Sequence, residues 1–310
     1  MSRSFTFKME VEIMKVLNYG SLNVDYVYTV DHIIVGGETE HSSKLEVFSG
    51  GKGLNQSIAL AKAGVPVYHA GIVGIDGDIL LDACEDAGVN TKYIRRLPVK
   101  GGHTMIQVDK NAQNCIILYG GTNQMQTKEF VDEVLADFGE DDYLILQNEI
   151  NMLDYIIDKA YEKKMKIILN PSPFDEKLDN CDLGKIYLFL LNEIEGEQIT
   201  GYKDKDQILN AMAEKFPNAR FVLTLGSDGA FYYDGKVKIF QDIFKVKAVD
   251  TTAAGDTFTG YFIAAMIEGR SVSDALRMAA KASSIAVSRP GATPSIPTVD
   301  EVKKELVMKD

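Results

Sequence analysis

The densest chemistry in the sequence lies at AVDTTAAGDTFTG (248–260), between a β-type run and an amphipathic helical pattern over 257–268. Ala253, Ala254 and Gly255 carry almost no side chain, so the N–H groups at the helix entry can converge on an anion at the positive end of the helix dipole. Such a cradle stabilises charge on a phosphoryl group in transit. Asp256, beside it, is placed to take a proton from an attacking hydroxyl. In isolation the same tripeptide also reads as an N-cap in a tight turn, so its company must decide.

A second polar cluster, SGGKGLNQSIALAKAG (49–64), opens another helical pattern. Gly50, Gly51 and Gly53 let the backbone approach a ligand, Lys52 brings a cation, and Asn55 and Gln56 bring amide donors and acceptors to the helix start. That mixture suits a polyhydroxylated substrate; a Gly-rich turn with a solvated lysine is the plainer reading. In GSLNVD (20–25), Asn23 and Asp25 fall two apart, on one side of an extended chain, at the carboxyl end of the first strand, where open α/β sheets bind ligands. Turn chemistry explains them equally well. Asn192 and Glu195 form an N-x-x-E at a strand-to-helix corner, where the glutamate either caps its helix or holds a hydrated Mg²⁺ against nucleotide phosphates.

Other chemistries lack their residues. G-x-x-x-x-G-K-[ST], a G-x-G-x-x-G after the first strand, H-E-x-x-H and paired-cysteine metal spacings are all missing, which leaves a P-loop enzyme, an ordinary dinucleotide dehydrogenase and a zinc site unsupported. His32, His41, His69 and His103 stand apart and read as lid or core residues. A formal charge of −12 makes nucleic acid and anionic membrane poor partners. Cys84, Cys115 and Cys181, odd in number and far apart, match reduced core cysteines of a cytoplasmic protein. No apolar run approaches the roughly 18 residues of a membrane span. Residues 1–13 show no signal-peptide pattern and read as an added edge strand or a stretch ahead of a second start at Met14.

The elements that must position these residues follow from periodicity. Strand-like runs (KVLNYG, VYHAGIVG, YLILQNE, KIILNPSP, YLFLLNE, FVLTLGSDG) alternate with helical patterns at 53–63, 77–87, 152–164 and 205–215. This predicts an α/β fold: a doubly wound, mostly parallel sheet with helices on both faces. Residues 26–48 and 101–120 are rich in Val, Ile, Thr and Tyr without helical period, and read as a small projecting β-sheet lid, the core being 14–25, 49–100 and 121–310. The plainer alternative extends the main sheet with these strands. A lid would expose an apolar face from residues such as Val27, Val30, Ile33 and Ile34 unless a ligand or second subunit covered it.

Together these residues resemble the ribokinase-like (PfkB-type) carbohydrate kinases, from about Lys15 to the end of the chain. GGKGLNQ and DTTAAGDTF look like that family's two signatures, and GGKG with N-Q and G-S-x-N-x-D looks most like its ribose-phosphorylating branch. The resemblance implies an ATP-dependent kinase that phosphorylates D-ribose at O5. In it Asn23, Asp25, Gly51, Lys52, Asn55 and Glu149 would contact sugar hydroxyls, with Asp256 the base and residues 253–255 the anion hole. Asn192 and the run Thr224, Leu225, Gly226, Ser227, Asp228 and Gly229, with Gly255, would hold ATP, and Glu195 would act through Mg²⁺. Asp250 and Ser295, with the carbonyls of Thr252, Ala286, Arg289 and Gly291, look like the family's K⁺ loop. A homodimer through the lid is also implied. Three departures bear on selectivity: Leu54, which could crowd the sugar pocket, Ala280 near the expected adenine, and Pro290 in the cation loop. Two rivals stand beside this reading. One is a kinase of the same family for a ketohexose, a phosphosugar or a nucleoside, the last with Tyr26 and Tyr28 as a base slot; the other is a non-catalytic sugar or nucleotide sensor.

Overall fold

The computed structural model describes residues 14–111 and 113–307, so the expected extension at 1–13 lies outside the described residues. In chain order the elements are β1 (Val16–Tyr19), β2 (Asn23–Thr29), β3 (Lys44–Gly50), α1 (Lys52–Lys62), β4 (Val67–Val73), α2 (Asp78–Ala87), β5 (Asn90–Arg96), β6 (Gly102–Val108), β7 (Asn114–Tyr119), α3 (Lys128–Leu135), β8 (Tyr143–Gln147) and α4 (Leu153–Glu162). There follow β9 (Lys166–Asn170), β10 (Leu188–Asn192), α5 (Glu193–Thr200), α6 (Lys205–Lys215), β11 (Arg220–Thr224), β12 (Ala230–Tyr233), β13 (Lys238–Gln241), α7 (Ala254–Ile267), α8 (Val272–Val287) and α9 (Val299–Val307).

Nine strands form one sheet in the order β13-β12-β11-β10-β9-β8-β1-β4-β5. Pairing is parallel from β11 through to β5, and β12 and β13 close one edge as antiparallel strands. Strand side chains alternate between two apolar layers: Val16, Ile145, Ile168 and Leu190 join the layer of α1, α7 and α8, while Leu17, Leu144, Leu169 and Phe189 join that of α3, α4 and α6. Strand order reverses between β1 and β8, the switch point at which a doubly wound sheet opens a crevice beyond its carboxyl ends.

The remaining strands form a separate sheet, β3-β2-β6-β7, rather than extending the main one. The apolar face of this sheet differs from expectation. Val30 is buried and Val27 and Ile33 half-buried, while Ile34 is exposed as expected; a further exposed row is Val47, Met105 and Ile117, set side by side with Tyr26 by the strand register. Asp25 and Thr104, one residue along each strand, face the other way.

Helix α7 departs from its expected amphipathic pattern. It begins at Ala254 and is buried all round from Asp256 to Ala265, as suits a helix in the middle of a layer. It crosses α1 closely: a Cβ on Gly260 would lie 2.4 Å from the Ala59 Cβ. Among the cysteines only Cys84 is a core residue, Cys115 being exposed and Cys181 intermediate. Among the described residues, no helix is long and apolar enough to cross a membrane.

Candidate active site

Asp256 is the third residue of α7, and Ala253 sits at the helix N-cap with no side chain capping it. The N-cap reading of Asp256 is thereby settled against. Its carboxylate turns away from its own helix and accepts from Asn55 Nδ2 at 2.9 Å and Gln56 Nε2 at 3.0 Å, both on α1. The tight crossing at Gly260 and Ala59 brings those helix starts together, and Asp256 is left only 6% exposed. A Cβ on Gly255 would meet nothing within 4 Å, so this end of the helix opens onto free space.

The turn before α1 shapes the sugar side. Gly51 takes φ 95°, a left-handed conformation that other residues adopt at a cost, and a Cβ on Gly53 would stand 2.4 Å from the Ser21 nitrogen. These two glycines let α1 start directly against the end of β1. Leu54 does not crowd this surface, because it points into the core, fully buried beside Leu22 and Val24. Glu149, just past β8, accepts from the Ser21 hydroxyl in a short hydrogen bond and from the Lys52 backbone N–H at 3.1 Å. Burial raises its pKa further than Lys52 and Ser21 lower it. For Lys52 burial opposes the charge, but Asp256, Glu149 and Glu195 outweigh burial and the net shift is upward.

Asn23 and Asp25 belong to β2 in the small sheet rather than to the end of β1. Asn123 Nδ2 donates to Asn23 Oδ1 at 2.7 Å, and Thr104 Oγ1 donates to Asp25 Oδ1 at 2.5 Å. Burial, with help from Glu149 and against the Thr104 hydroxyl, pushes the Asp25 pKa up to about 6. Tyr26 and Tyr28 alternate with Asp25 and therefore stand on the opposite face of β2, away from it, which removes them as a base slot.

A cleft opens beside this surface, reached from it by Lys52 but not lined by Asn23, Asp25, Gly51, Asn55 or Glu149. Lys52, Thr252, Gly255 and Asp256 line it, together with Asn192 and Thr224 at the ends of β10 and β11 and Glu195 in the first turn of α5. Asn192 caps α5 in a capping box: Glu195 N–H donates to Asn192 Oδ1 at 2.9 Å and Asn192 N–H to Glu195 Oε2 at 3.0 Å. Glu195 therefore caps its helix and also borders the cleft. Beyond Thr224, Leu225 N–H bonds the Gly229 carbonyl, and Gly226, Ser227 and Asp228 form an exposed 3₁₀ turn outside the cleft lining.

The loop before α7 meets the loop after α8. Asp250 Oδ1 accepts from the Thr252 N–H at 2.9 Å and its hydroxyl at 2.5 Å, and Oδ2 accepts from Gly291 N–H at 2.9 Å. Those bonds outweigh partial burial and lower the Asp250 pKa. Ser295 is buried and donates to the Ala292 carbonyl, the Ala286 carbonyl accepts from Arg289 N–H, and the Arg289 side chain pairs with Glu301. Sequence reasoning missed Ser21, Thr104 and Asn123, and also Asn170, Ser172 and Thr259, which line the cleft. Ser21 was findable, lying inside GSLNVD; Thr104 becomes visible only once β6 is known to lie beside β2, and Asn123 only once the turn at 121–124 is known to pack against Leu22 and Asn23.

Comparison with known proteins identifies the family. Residues 14–299 match the pfkB family carbohydrate kinase profile. The chain is 33% identical to the ribokinase of Haemophilus influenzae over 292 residues, covering 91% of this chain and 95% of that one. It superposes on the ribokinase of Thermotoga maritima with a TM-score of 0.85 at 32% identity, covering 95% of this chain and all of that one. With the Arabidopsis thaliana ribokinase complexed with ribose and ATP, the TM-score is 0.83 at 31% identity, covering 94% of this chain and 98% of that one. The chain belongs to the pfkB family of carbohydrate kinases and is an ATP-dependent, ribokinase-like sugar kinase.

Proposed function

We propose that this kinase transfers the γ-phosphoryl group of ATP to O5 of D-ribose. The observation that carries the reading is Asp256: a buried carboxylate, fixed by two amide donors, at the open N-terminus of α7 and on the wall of the cleft. The sugar lies against Asn23, Asp25, Gly51, Lys52, Asn55 and Glu149, and ATP reaches from Asn192 and Thr224 toward Gly255, along the run 225–229. Asp256 takes the O5 proton as that oxygen attacks phosphorus, and the bond to the ADP oxygen breaks. The N–H groups of 253–255 face the oxygens on which charge gathers, Ala254 N–H also donating to the Thr251 carbonyl at 3.2 Å, and the N-terminal dipole adds to their effect. Lys52, its charge held by three carboxylates, neutralises the same region.

Glu195 fits a hydrated Mg²⁺, which needs only one or two protein carboxylates beside phosphate and water. Bound there, Mg²⁺ would screen the β- and γ-phosphate charge. Asp250, ionised and already tying residue 252 to residue 291, fits a K⁺ held with Ser295 and the carbonyls of Thr252, Ala286, Arg289 and Gly291, where it would stiffen the loop into α7. Residues 26–48 and 101–120 act as a lid over the sugar, and a second copy of the chain covers their outer row of Val47, Met105 and Ile117. The chain works in the cytoplasm.

The substrate assignment is tested by ATP consumption across ribose, 2-deoxyribose, fructose, fructose phosphates, adenosine and pseudouridine. D-ribose should give the highest kcat/KM, with 2-deoxyribose about 5- to 150-fold poorer, because buried polar groups left unpaired cost about 1–3 kcal/mol. A phosphosugar or nucleoside that outcompetes ribose would overturn it. Sedimentation tests the second copy: Met105→Asp should convert a dimer to monomer, and a monomeric wild type would refute it.

A further inference from the structure

The carboxylate on which the chemistry turns is held from behind by a run of buried amides. Gln56, which donates to Asp256 Oδ1, accepts at its Oε1 from Gln147 Nε2 at 2.7 Å. The same Gln147 nitrogen donates to Asn18 Oδ1 at 2.9 Å. Asn18 Nδ2 donates in turn to the Gly53 carbonyl at 2.7 Å and to Ser57 Oγ at 2.8 Å, and Ser57 Oγ lies 2.8 Å from His69 Nδ1. Asn18, Gln56, Ser57, His69 and Gln147 are all 0% exposed.

An amide in such a run can be turned over end for end, and its neighbours choose the orientation. Here backbone carbonyls choose. The Gly53 carbonyl can only accept, so Asn18 gives it Nδ2 and turns Oδ1 toward Gln147. Gln147 must then present Nε2, which serves Gln56 Oε1 as well and leaves Gln56 with its N–H groups for Asp256. A second carbonyl fixes the same amide from the other side. Leu190 C=O takes Asn170 Nδ2 at 2.8 Å, so Asn170 Oδ1 is what remains to accept from Gln56 Nε2 at 3.1 Å. At the far end Ser57 Oγ, which accepts from Asn18, shares a hydrogen bond with His69 Nδ1, and complete burial keeps that imidazole neutral, its pKa down at about 4.

We infer that Gln56 is a positioning residue for Asp256 and that Gln147 sets the direction in which Gln56 donates. The inference rests on the reading of Asp256 as the general base. With Oδ1 tied to Gln56 and Oδ2 to Asn55, the carboxylate is aimed before the sugar arrives. Were Gln56 turned over, its Oε1 would face Asp256 Oδ1, two acceptors with no proton between them, and the carboxylate would swing from line.

The test is a double-mutant cycle on kcat with near-isosteric changes. Gln56→Met should lower kcat by about 10- to 100-fold while the KM values for ribose and MgATP move by less than about threefold. Gln147→Met should also lower kcat, and the double variant should fall no further than Gln56→Met, since Gln147 acts through Gln56. Losses that multiply in the double variant would overturn the role of Gln147, and a Gln56→Met kcat within about twofold of wild type would overturn that of Gln56. Melting curves and ATP binding report on folding. If the methionine variants fold poorly, Gln56→Glu replaces them, because it keeps the acceptor for Gln147 while placing a carboxylate against Asp256. Its kcat should lie below that of wild type by at least the same factor, and an unchanged kcat overturns the inference. Asp256→Asn separates the two layers. A wild-type kcat there removes the base reading itself, whereas a low kcat there beside normal Gln56 variants removes the positioning role alone.

Discussion

Two helices begin at this site, and their first turns are treated in opposite ways. Neither α1, with Gly51 at its N-cap, nor α7, with Ala253, is capped by a side chain of its own first turn. At α1 the chain fills the gap itself: the Glu149 carboxylate comes from beyond β8 to accept the Lys52 N–H at 3.1 Å. At α7 no such carboxylate arrives among the described residues; Asp256 faces α1 instead, and the space at Gly255 is open. A helix N-terminus carries about half a positive charge, which an anion must satisfy. The terminus already satisfied can grip a neutral sugar. The one left open is where an incoming phosphoryl group can be stabilised.

The largest effect should come from Asp256→Asn, which keeps acceptor geometry on one side but removes the base. We expect kcat to fall by about 10² to 10⁴, with KM for ATP little changed. A variant within about threefold of wild type would show that α7 supplies only an anion hole. Next in size, Gly255→Asp makes α7 resemble α1 by setting a carboxylate at its open end. Activity should drop by about 10² as that anion competes with the phosphoryl group, and Gly255→Ala, which adds only a methyl into free space, should retain most of it. Equal losses in the two variants would mean that space, not charge, matters there.

A smaller effect concerns the sugar side. With its pKa pushed up to about 6 from 3.8, Asp25 holds its proton more tightly folded than unfolded. Its ionisation therefore costs stability, a cost that appears as pH rises from about 4 and is complete above about 6, reaching at most about 3 kcal/mol. Asp25→Asn, which still accepts from Thr104, should raise Tm at pH 7.5 and lose that advantage at pH 4. The KM for ribose of the wild type should climb as pH falls through 6, because a protonated Asp25 offers the sugar fewer acceptors, and that slope should vanish in Asp25→Asn. A lower Tm for the variant at pH 7.5 would refute the burial argument. Smallest of all, Thr104→Val should raise KM for ribose about fivefold, the value of one hydrogen bond of about 1 kcal/mol, and leave KM for ATP unchanged.

Both helix starts stand out in the sequence as small residues beside single polar ones, AAGD and GGKG, although an N-cap and a Gly-rich turn are the plainer readings of each alone. The alternation of strand and helix that puts them at one edge of a parallel sheet was legible too. Period alone could not place Asn23 and Asp25 in the second sheet, because a strand looks the same whichever neighbours it pairs with. Nor could it show α7 as a helix buried on all sides, which depends on what packs around it.

Composition and local pattern determined the fold class and the element order and singled out Asp256 as the candidate base, because these depend on residue types a few positions apart. Tertiary structure alone decided which carboxylate is spent on which helix. Glu149 and Lys52 lie 97 positions apart, Asp256 and Gln56 200 apart, and Asn123 and Asn23 100 apart. A hydrogen bond acts over about 3 Å and is blind to separation along the chain, so only the packing of α7 on α1, of β8 beside β1, and of the turn at 121–124 against β2 could choose these partners.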